Sequence, residues 1–127
     1  MNRQRLLKII WVFIALSGGF SVLFGAWLAH AGQELIENDR ARLITAHHYQ
    51  VIHTLALLAV SVAYRLKPVT VLLVPSLLFI AGIIAFSGSL YLKTFLGVSS
   101  FGGLAPFGGV TLAIGWLSLA FVGKEKL

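Results

Sequence analysis

The chain has 127 residues, of which 58% are hydrophobic and only 11% are charged, so a water-soluble domain of this composition would lack the polar surface to cover its core. The net charge of +6 comes from small basic groups at the ends of apolar runs, which is typical of membrane proteins and argues against nucleic-acid binding. The absence of cysteine excludes disulfides, thiolate metal sites and redox dithiols. The sequence therefore predicts one integral membrane domain, residues 1–127, and the lipid bilayer is its predicted partner.

The first predicted span covers residues 9–30, an apolar run long enough to cross roughly 30 Å of hydrocarbon. It follows a short basic tail that contains Arg3, Arg5 and Lys8. A cleaved signal peptide is the alternative, because Ala29-His30-Ala31 resembles a cleavage site. The apolar run is longer than the usual signal-peptide core, which favours a retained span.

The second predicted span covers residues 45–64 and belongs to a helix that starts outside the bilayer. The preceding polar stretch offers Asn38 or Asp39 as the residue that caps this helix at its N-terminus. Pro68 disfavours a helical residue before it, so we expect the helix to end shortly before that proline.

Two further spans complete the predicted bundle. The third covers residues 69–92, and Pro75 should kink this helix or mark its first regular turn. A connection rich in glycine and serine, residues 93–103, leads to the fourth span over residues 104–122, which Gly123 can end. We therefore predict an all-α membrane protein, a four-transmembrane-helix antiparallel bundle.

Small residues recur along these spans and would let neighbouring helices approach closely. Small residues that are not used inside the bundle could support a homo-oligomer or a partner membrane subunit. The predicted packing residues are Ser17, Ser21, Gly25 and Ala29 in the first span, Ala81 and Ala85 in the third, and Gly108, Gly109 and Gly115 in the fourth.

The basic residues are shared unevenly between the two sides of the predicted bundle. The tails and the second loop hold seven lysines and arginines, whereas the first and third loops hold three. Cytoplasmic segments carry the excess of basic residues, which predicts that both termini are cytoplasmic. In a bacterium the protein would then lie in the inner membrane.

The polar start of the second span is the main candidate for a functional site. On a helical wheel Tyr49, Gln50 and His53 share one arc, while His47 and His48 point elsewhere. Lipid penalises such groups, so this arc should face protein, water or a ligand. The topology brings further polar residues to the same, outer end of the bundle, and the full set of ligand-binding candidates is His53, Gln50, Tyr49, His30, Ser87, Ser89 and Tyr91.

Several short motifs occur in the order and spacing of one known family, from residue 17 to residue 122: GAWLAH at 25–30, YQVIH at 49–53, FSGSLY at 86–91, PFGG at 106–109 and GW at 115–116. The chain thus resembles the small four-span inner-membrane proteins catalogued as domain of unknown function 423. The resemblance implies this fold and location but no established activity. Leu28 and Ala105 depart from the glycine and threonine common in the family, and Leu28 would oppose a very close helix contact near His30.

Two interpretations of His53 remain open. It could form an interhelical hydrogen bond to Ser87, Ser89 or Tyr91 and act only in packing. Alternatively it could bind a ligand, an ion or a proton, because ionisable groups within a membrane are often functional.

Metal, haem and catalytic chemistry are less well supported, and no cofactor is predicted. His30 and His53 are weak metal candidates, while the adjacent His47 and His48 point about 100° apart and would chelate poorly. Haem ligation would meet the same difficulty. No acidic residue lies within a span, so His53 lacks a buried carboxylate partner and an enzyme is not expected.

Five aromatic residues lie toward the ends of the spans, where the default explanation is an aromatic belt at the membrane interfaces. They are Trp11, Trp27, Tyr64, Tyr91 and Trp116.

Two function classes therefore follow from the sequence. In the first, the protein binds or transports a small hydrophobic molecule, an ion or a proton at Tyr49, Gln50 and His53. In the second, it is a structural or accessory membrane subunit whose polar arc fixes helix packing or docks a partner. The first class requires a cavity bordered by those three side chains.

Overall fold

The computed structural model describes residues 2–100 and 103–124, and the regular structure in those residues is entirely helical. In that part of the chain, four helical stretches are long and apolar enough to cross a membrane, as predicted. The third stretch, Thr70–Leu96, combines a 3-10 turn, two α-helices and a π-helical segment. The elements are α1 Arg3–Ala29, a 3-10 turn Ala31–Glu34, α2 Glu37–Leu66, a 3-10 turn Thr70–Leu72, α3 Leu73–Ile83, the π segment Ile84–Gly88, α4 Ser89–Leu96 and α5 Leu104–Val122.

The start of α2 differs from the predicted one. The helix begins at Glu37, and Ile36 occupies the N-cap position in an extended conformation without a side-chain cap. The cap predicted at Asn38 or Asp39 is therefore wrong, because both residues already lie in the first helical turn. Glu37 and Asp39 instead place negative charge near the helix N-terminus, where the macrodipole favours it.

The third span runs further than predicted. It continues to Leu96 and ends where Gly97 adopts a left-handed conformation with φ of 65°. Glycine accepts that conformation without a Cβ clash, so it forms the C-cap. Pro75 lies in the first turn of α3, as predicted, where the missing N–H has no intrahelical partner to lose. The π segment was not predicted from the sequence.

The centre of the bundle is formed by α2 and the third span, with α1 against α2 and α5 against the third span. Glycines allow α5 to approach closely, as predicted. A Cβ on Gly108 would lie 2.8 Å from the carbonyl carbon of Ala85, and one on Gly115 would lie 2.9 Å from the ring of Phe79. Gly109 is less tightly packed, since a Cβ there would be 3.7 Å from the Phe86 ring.

Some of the other predicted packing residues contact a neighbouring helix, and others are exposed. Ser17 and Ser21 are buried against α2, and a Cβ on Gly25 would lie 3.0 Å from the His47 ring. Ala29 and Ala81 are exposed and do not form the expected packing face.

In the third span the contact with α5 lies one residue beyond Ala81, at Gly82, and at the backbone of Ala85. Gly82 points about 100° away from Ala81, because that is the rotation between consecutive helical residues. The Cβ position of Gly82 overlaps the side chain of Leu112, and Ala85 itself is half-buried.

Two positions show how the core accommodates large side chains. Leu28 packs with Phe24 and Leu43 in a buried cluster near the connection between α1 and α2, so the bulk that replaces a glycine fills space between helices. Tyr64 is only 2% exposed and belongs to the main apolar core, so its predicted place in an interfacial belt is wrong.

Candidate functional site

The predicted polar arc of α2 divides between two sets of neighbours. Gln50 faces α1 and α4, whereas Tyr49 and His53 face the third span and α5. The Gln50 Nε2 group donates to Ser17 Oγ at 3.0 Å, and its Oε1 accepts from the Tyr91 hydroxyl at 2.6 Å. Gln50 thereby links α1 to α4 through side chains.

Further hydrogen bonds extend this connection. The hydroxyls of Ser17 and Thr54 lie 2.8 Å apart, and Ser87 Oγ donates to the Ala46 carbonyl oxygen at 2.7 Å. These polar side chains are at most 6% exposed. The result is a buried network that ties α1, α2 and the third span together in a region where lipid offers no alternative partners.

His53 lies in a separate, aromatic environment. Its Nδ1–H donates to the Tyr49 carbonyl oxygen at 2.6 Å, which leaves a lone pair on Nε2. The imidazole centroid lies 5.7 Å from the Tyr49 ring, 5.8 Å from Phe79 and 5.9 Å from Trp116. The expected interhelical bond to Ser87, Ser89 or Tyr91 is not formed, because those hydroxyls donate to the Ala46 carbonyl, the Phe86 carbonyl and Gln50, respectively.

The remaining histidines lie apart from His53. His47 points toward α1, where its Nε2–H donates to the Ser21 carbonyl oxygen at 2.8 Å, and His30 and His48 are exposed. Residues 2–100 and 103–124 contain no group of three or more histidine, cysteine or acidic side chains that could hold a metal ion.

A lateral groove opens between α1 and the third span. Its volume is about 380 Å³, and its walls are almost wholly apolar. Gln50 lines this groove but Tyr49 and His53 do not, so the groove differs from the predicted cavity bordered by all three side chains. The lining residues are Phe13, Leu16, Ser17, Phe20, Gln50, Ile83, Ile84, Ser87, Gly88 and Tyr91.

A larger distal groove, about 820 Å³, lies on the other side of Tyr91, between the third span and the start of α5. Ala81, Phe95 and Leu104 contribute to its apolar lining. Ser89, the one serine in this lining, donates to the Phe86 carbonyl oxygen at 2.9 Å. The distal groove therefore offers little to distinguish one apolar molecule from another.

The sequence did not assign Thr54 to the site and assigned Ser17 to packing alone. The spacing could have indicated Thr54, because it follows Gln50 by four residues and so lies on the same face of α2. That this face meets Ser17 depends on the register between α1 and α2, which the sequence does not show.

Comparisons with known proteins agree with this architecture. Residues 24–109, more than half of the chain, match the family described as Protein of unknown function (DUF423). The chain is 40% identical over 110 residues to a UPF0382 membrane protein of Haemophilus influenzae, covering 85% of this chain and 87% of the relative. No solved structure matches the chain. The protein therefore belongs to the DUF423 family of membrane proteins, whose activity is unknown.

Proposed function

We propose that this membrane protein binds a small hydrophobic molecule that enters the lateral groove from the bilayer, with Gln50 and Tyr91 at the polar floor. The observation that carries the proposal is the groove of about 380 Å³ between α1 and the third span, at whose edge the rings of Phe20 and Tyr91 meet with 5.7 Å between their centroids. Small-molecule sites typically combine mostly apolar walls of this volume with a few polar groups.

The polar floor of the lateral groove favours a ligand that donates a hydrogen bond. Gln50 already uses its amide hydrogens toward Ser17, while Oε1 accepts one bond and retains a second lone pair. The hydroxyl oxygens of Tyr91 and Ser87 also retain acceptor capacity after donating their protons. A hydrophobic molecule with a hydroxyl group, such as an isoprenoid alcohol, a quinol or a diacylglycerol, has the matching chemistry.

The lateral groove is better suited to bind a hydrophobic molecule than to bind an ion or a proton. His53 does not line it, and none of the acidic residues in the described chain lies within a membrane-crossing run of apolar residues. An ion would therefore meet neutral amide and hydroxyl groups without a compensating charge.

Native mass spectrometry of protein purified in mild detergent tests the proposal, using wild type, Gly88→Leu and Ala81→Leu. A Cβ on Gly88 meets no atom within 4 Å, and the residue is helical with φ of −60°, so leucine fits and projects into open space. Gly88 borders both grooves, whereas Ala81 borders only the distal groove. We expect a stoichiometric apolar adduct in wild type and Ala81→Leu that Gly88→Leu loses. A wild type without an adduct, or an adduct retained in Gly88→Leu, would contradict binding in the lateral groove.

An accessory subunit is the second candidate, favoured by the fact that Gln50, Ser17, Thr54 and Tyr91 are already paired within the bundle. In that case the network acts in helix packing. Gln50→Leu would lower the free energy of unfolding by about 1 kcal/mol and leave the mass of any bound species unchanged. Unfolding in mixed micelles and native mass spectrometry of this variant separate the two candidates.

A further inference from the structure

One end of the bundle carries only positive charge among the residues that the structure describes. This is the tail end, where α1 begins, α2 ends and α5 ends. The described acidic residues, Glu34, Glu37 and Asp39, lie at the opposite end, where Asp39 pairs with Arg42 at 3.0 Å. The basic residues of the tail end are Arg3, Arg5, Lys8, Arg65, Lys67 and Lys124.

At this end a cation and an aromatic ring meet where α1 and α2 lie side by side. The guanidinium carbon of Arg65 lies 5.9 Å from the centroid of the Trp11 ring. Lys8 precedes Trp11 by three residues, so its side chain lies on the same face of α1. Arg65 and Lys8 are exposed and Trp11 is half-buried. We call Lys8, Trp11 and Arg65 the seam cluster.

We propose that the seam cluster binds the phosphate headgroup of an anionic phospholipid. A guanidinium presents paired N–H donors that match phosphate oxygens, and the guanidinium of Arg65 lies over the Trp11 ring. Tryptophan favours the depth of the headgroups in a bilayer, which places the two cations at the level of the lipid phosphates. The lipid's acyl chains then lie along apolar side chains exposed on α1, such as Ile9 and Val12.

A lipid fits the seam cluster better than a soluble anion does, because basic side chains and exposed apolar side chains lie together there. Basic residues near an anionic membrane surface each favour binding by about 1 kcal/mol, which corresponds to a factor of about five in affinity. A soluble phosphate would gain the charge interaction without the apolar contacts. The seam cluster is also distinct from the polar floor of the lateral groove, because Arg65 follows Gln50 by fifteen residues, or about 22 Å along α2.

Fluorescence quenching of Trp11 in bilayers tests the proposal. The background protein carries Trp27→Phe and Trp116→Phe, so that Trp11 is the remaining tryptophan. Quenching by brominated phosphatidylglycerol is compared with quenching by brominated phosphatidylcholine at equal mole fraction. We expect the anionic lipid to associate with the site between about fivefold and about 25-fold more strongly, because each of the two cations that engages the phosphate contributes a factor of about five. This preference should shrink when the salt concentration is raised, because the charges are exposed.

The variant Lys8→Gln/Arg65→Gln should lose the preference, and Arg40→Gln at the opposite end should retain it. Equal quenching by the two lipids in the background protein would overturn the proposal, as would a preference that survives in the double variant. The comparison of the two lipids and the comparison of salt concentrations use only the background protein. They therefore test the proposal even if the double variant fails to fold. Loss of the preference on adding inorganic phosphate, with sodium chloride at equal ionic strength as the control, would identify a free-anion site and overturn the lipid assignment.

Discussion

At the scale of single residues, the buried polar side chains differ in whether they have partners. Ser17 bonds to Thr54 and Gln50. The hydroxyls of Ser61 and Tyr64 are buried in the other half of α2, and neither has a hydrogen-bond partner among residues 2–100 and 103–124. A paired buried hydroxyl stabilises the fold modestly, whereas an unpaired one costs its desolvation energy.

Ser61→Ala should therefore raise the free energy of unfolding by about 1 kcal/mol, while Ser17→Ala should lower it by about the same amount. The two substitutions remove the same atom from buried positions on neighbouring helices, so each serves as the control of the other. Titration with a denaturing detergent in mixed micelles measures both. A loss of stability in Ser61→Ala would show that its hydroxyl has a partner, such as a buried water.

His53 allows the contribution of ring packing to be separated from that of the hydrogen bond. His53→Phe keeps an aromatic ring among Tyr49, Phe79 and Trp116 but loses the bond to the Tyr49 carbonyl. We expect it to lower the free energy of unfolding by about 1 kcal/mol. His53→Ala also removes the ring contacts and should cost about 3 kcal/mol. Equal costs in the same unfolding assay would show that the hydrogen bond, and not the ring, supplies the stability.

At the scale of elements, the contact between α5 and the third span depends on glycines that face the π segment. The Cβ position of Gly108 overlaps the backbone of Phe86 and lies 2.8 Å from the carbonyl carbon of Ala85. Backbone atoms in a helix cannot move aside as a flexible side chain can. The close approach therefore tolerates no side chain at Gly108.

Gly108→Ala should lower the free energy of unfolding by about 1–3 kcal/mol because the helices must separate to admit the methyl group. Gly19→Ala is the matched control, since a Cβ there meets no atom within 4 Å. The control should be neutral or stabilising by up to about 1 kcal/mol through its higher helix propensity. Similar effects of the two substitutions would contradict the close contact between α5 and the third span.

At the scale of the whole molecule, the asymmetry of charge between the two ends sets the expected orientation. The tail end carries basic residues without a described acidic residue, whereas the opposite end balances Arg40, Arg42 and Lys93 with acidic side chains. The excess of basic residues stays on the cytoplasmic side during insertion, so we expect both ends of the described chain to face the cytoplasm.

Single-cysteine labelling checks this orientation directly, because the chain has no native cysteine. In intact cells a membrane-impermeant maleimide should label Ser99→Cys, in the loop between α4 and α5. Lys124→Cys should react only after the membrane is permeabilised. The reverse pattern would show that the bundle is inserted with its basic end outward.

The sequence by itself determined the membrane class, the four spans and several helix boundaries. Apolar runs must match the thickness of the bilayer, and Pro68, Pro75 and Gly123 act on the backbone close to them, so these features depend on local chemistry. The close contacts of Gly108 and Gly115 were also predicted, because small residues mark where helices can approach.

Only the tertiary structure decided which way each helix faces. A helix that is apolar on all sides carries no signal that fixes its rotation, which neighbouring helices set by packing. For this reason the sequence grouped Gln50 with Tyr49 and His53, whereas packing turned Gln50 toward Ser17 and Tyr91 and left His53 among aromatic rings. The lateral groove depends on that rotation, because Gln50 lines it together with residues of α1 and the third span.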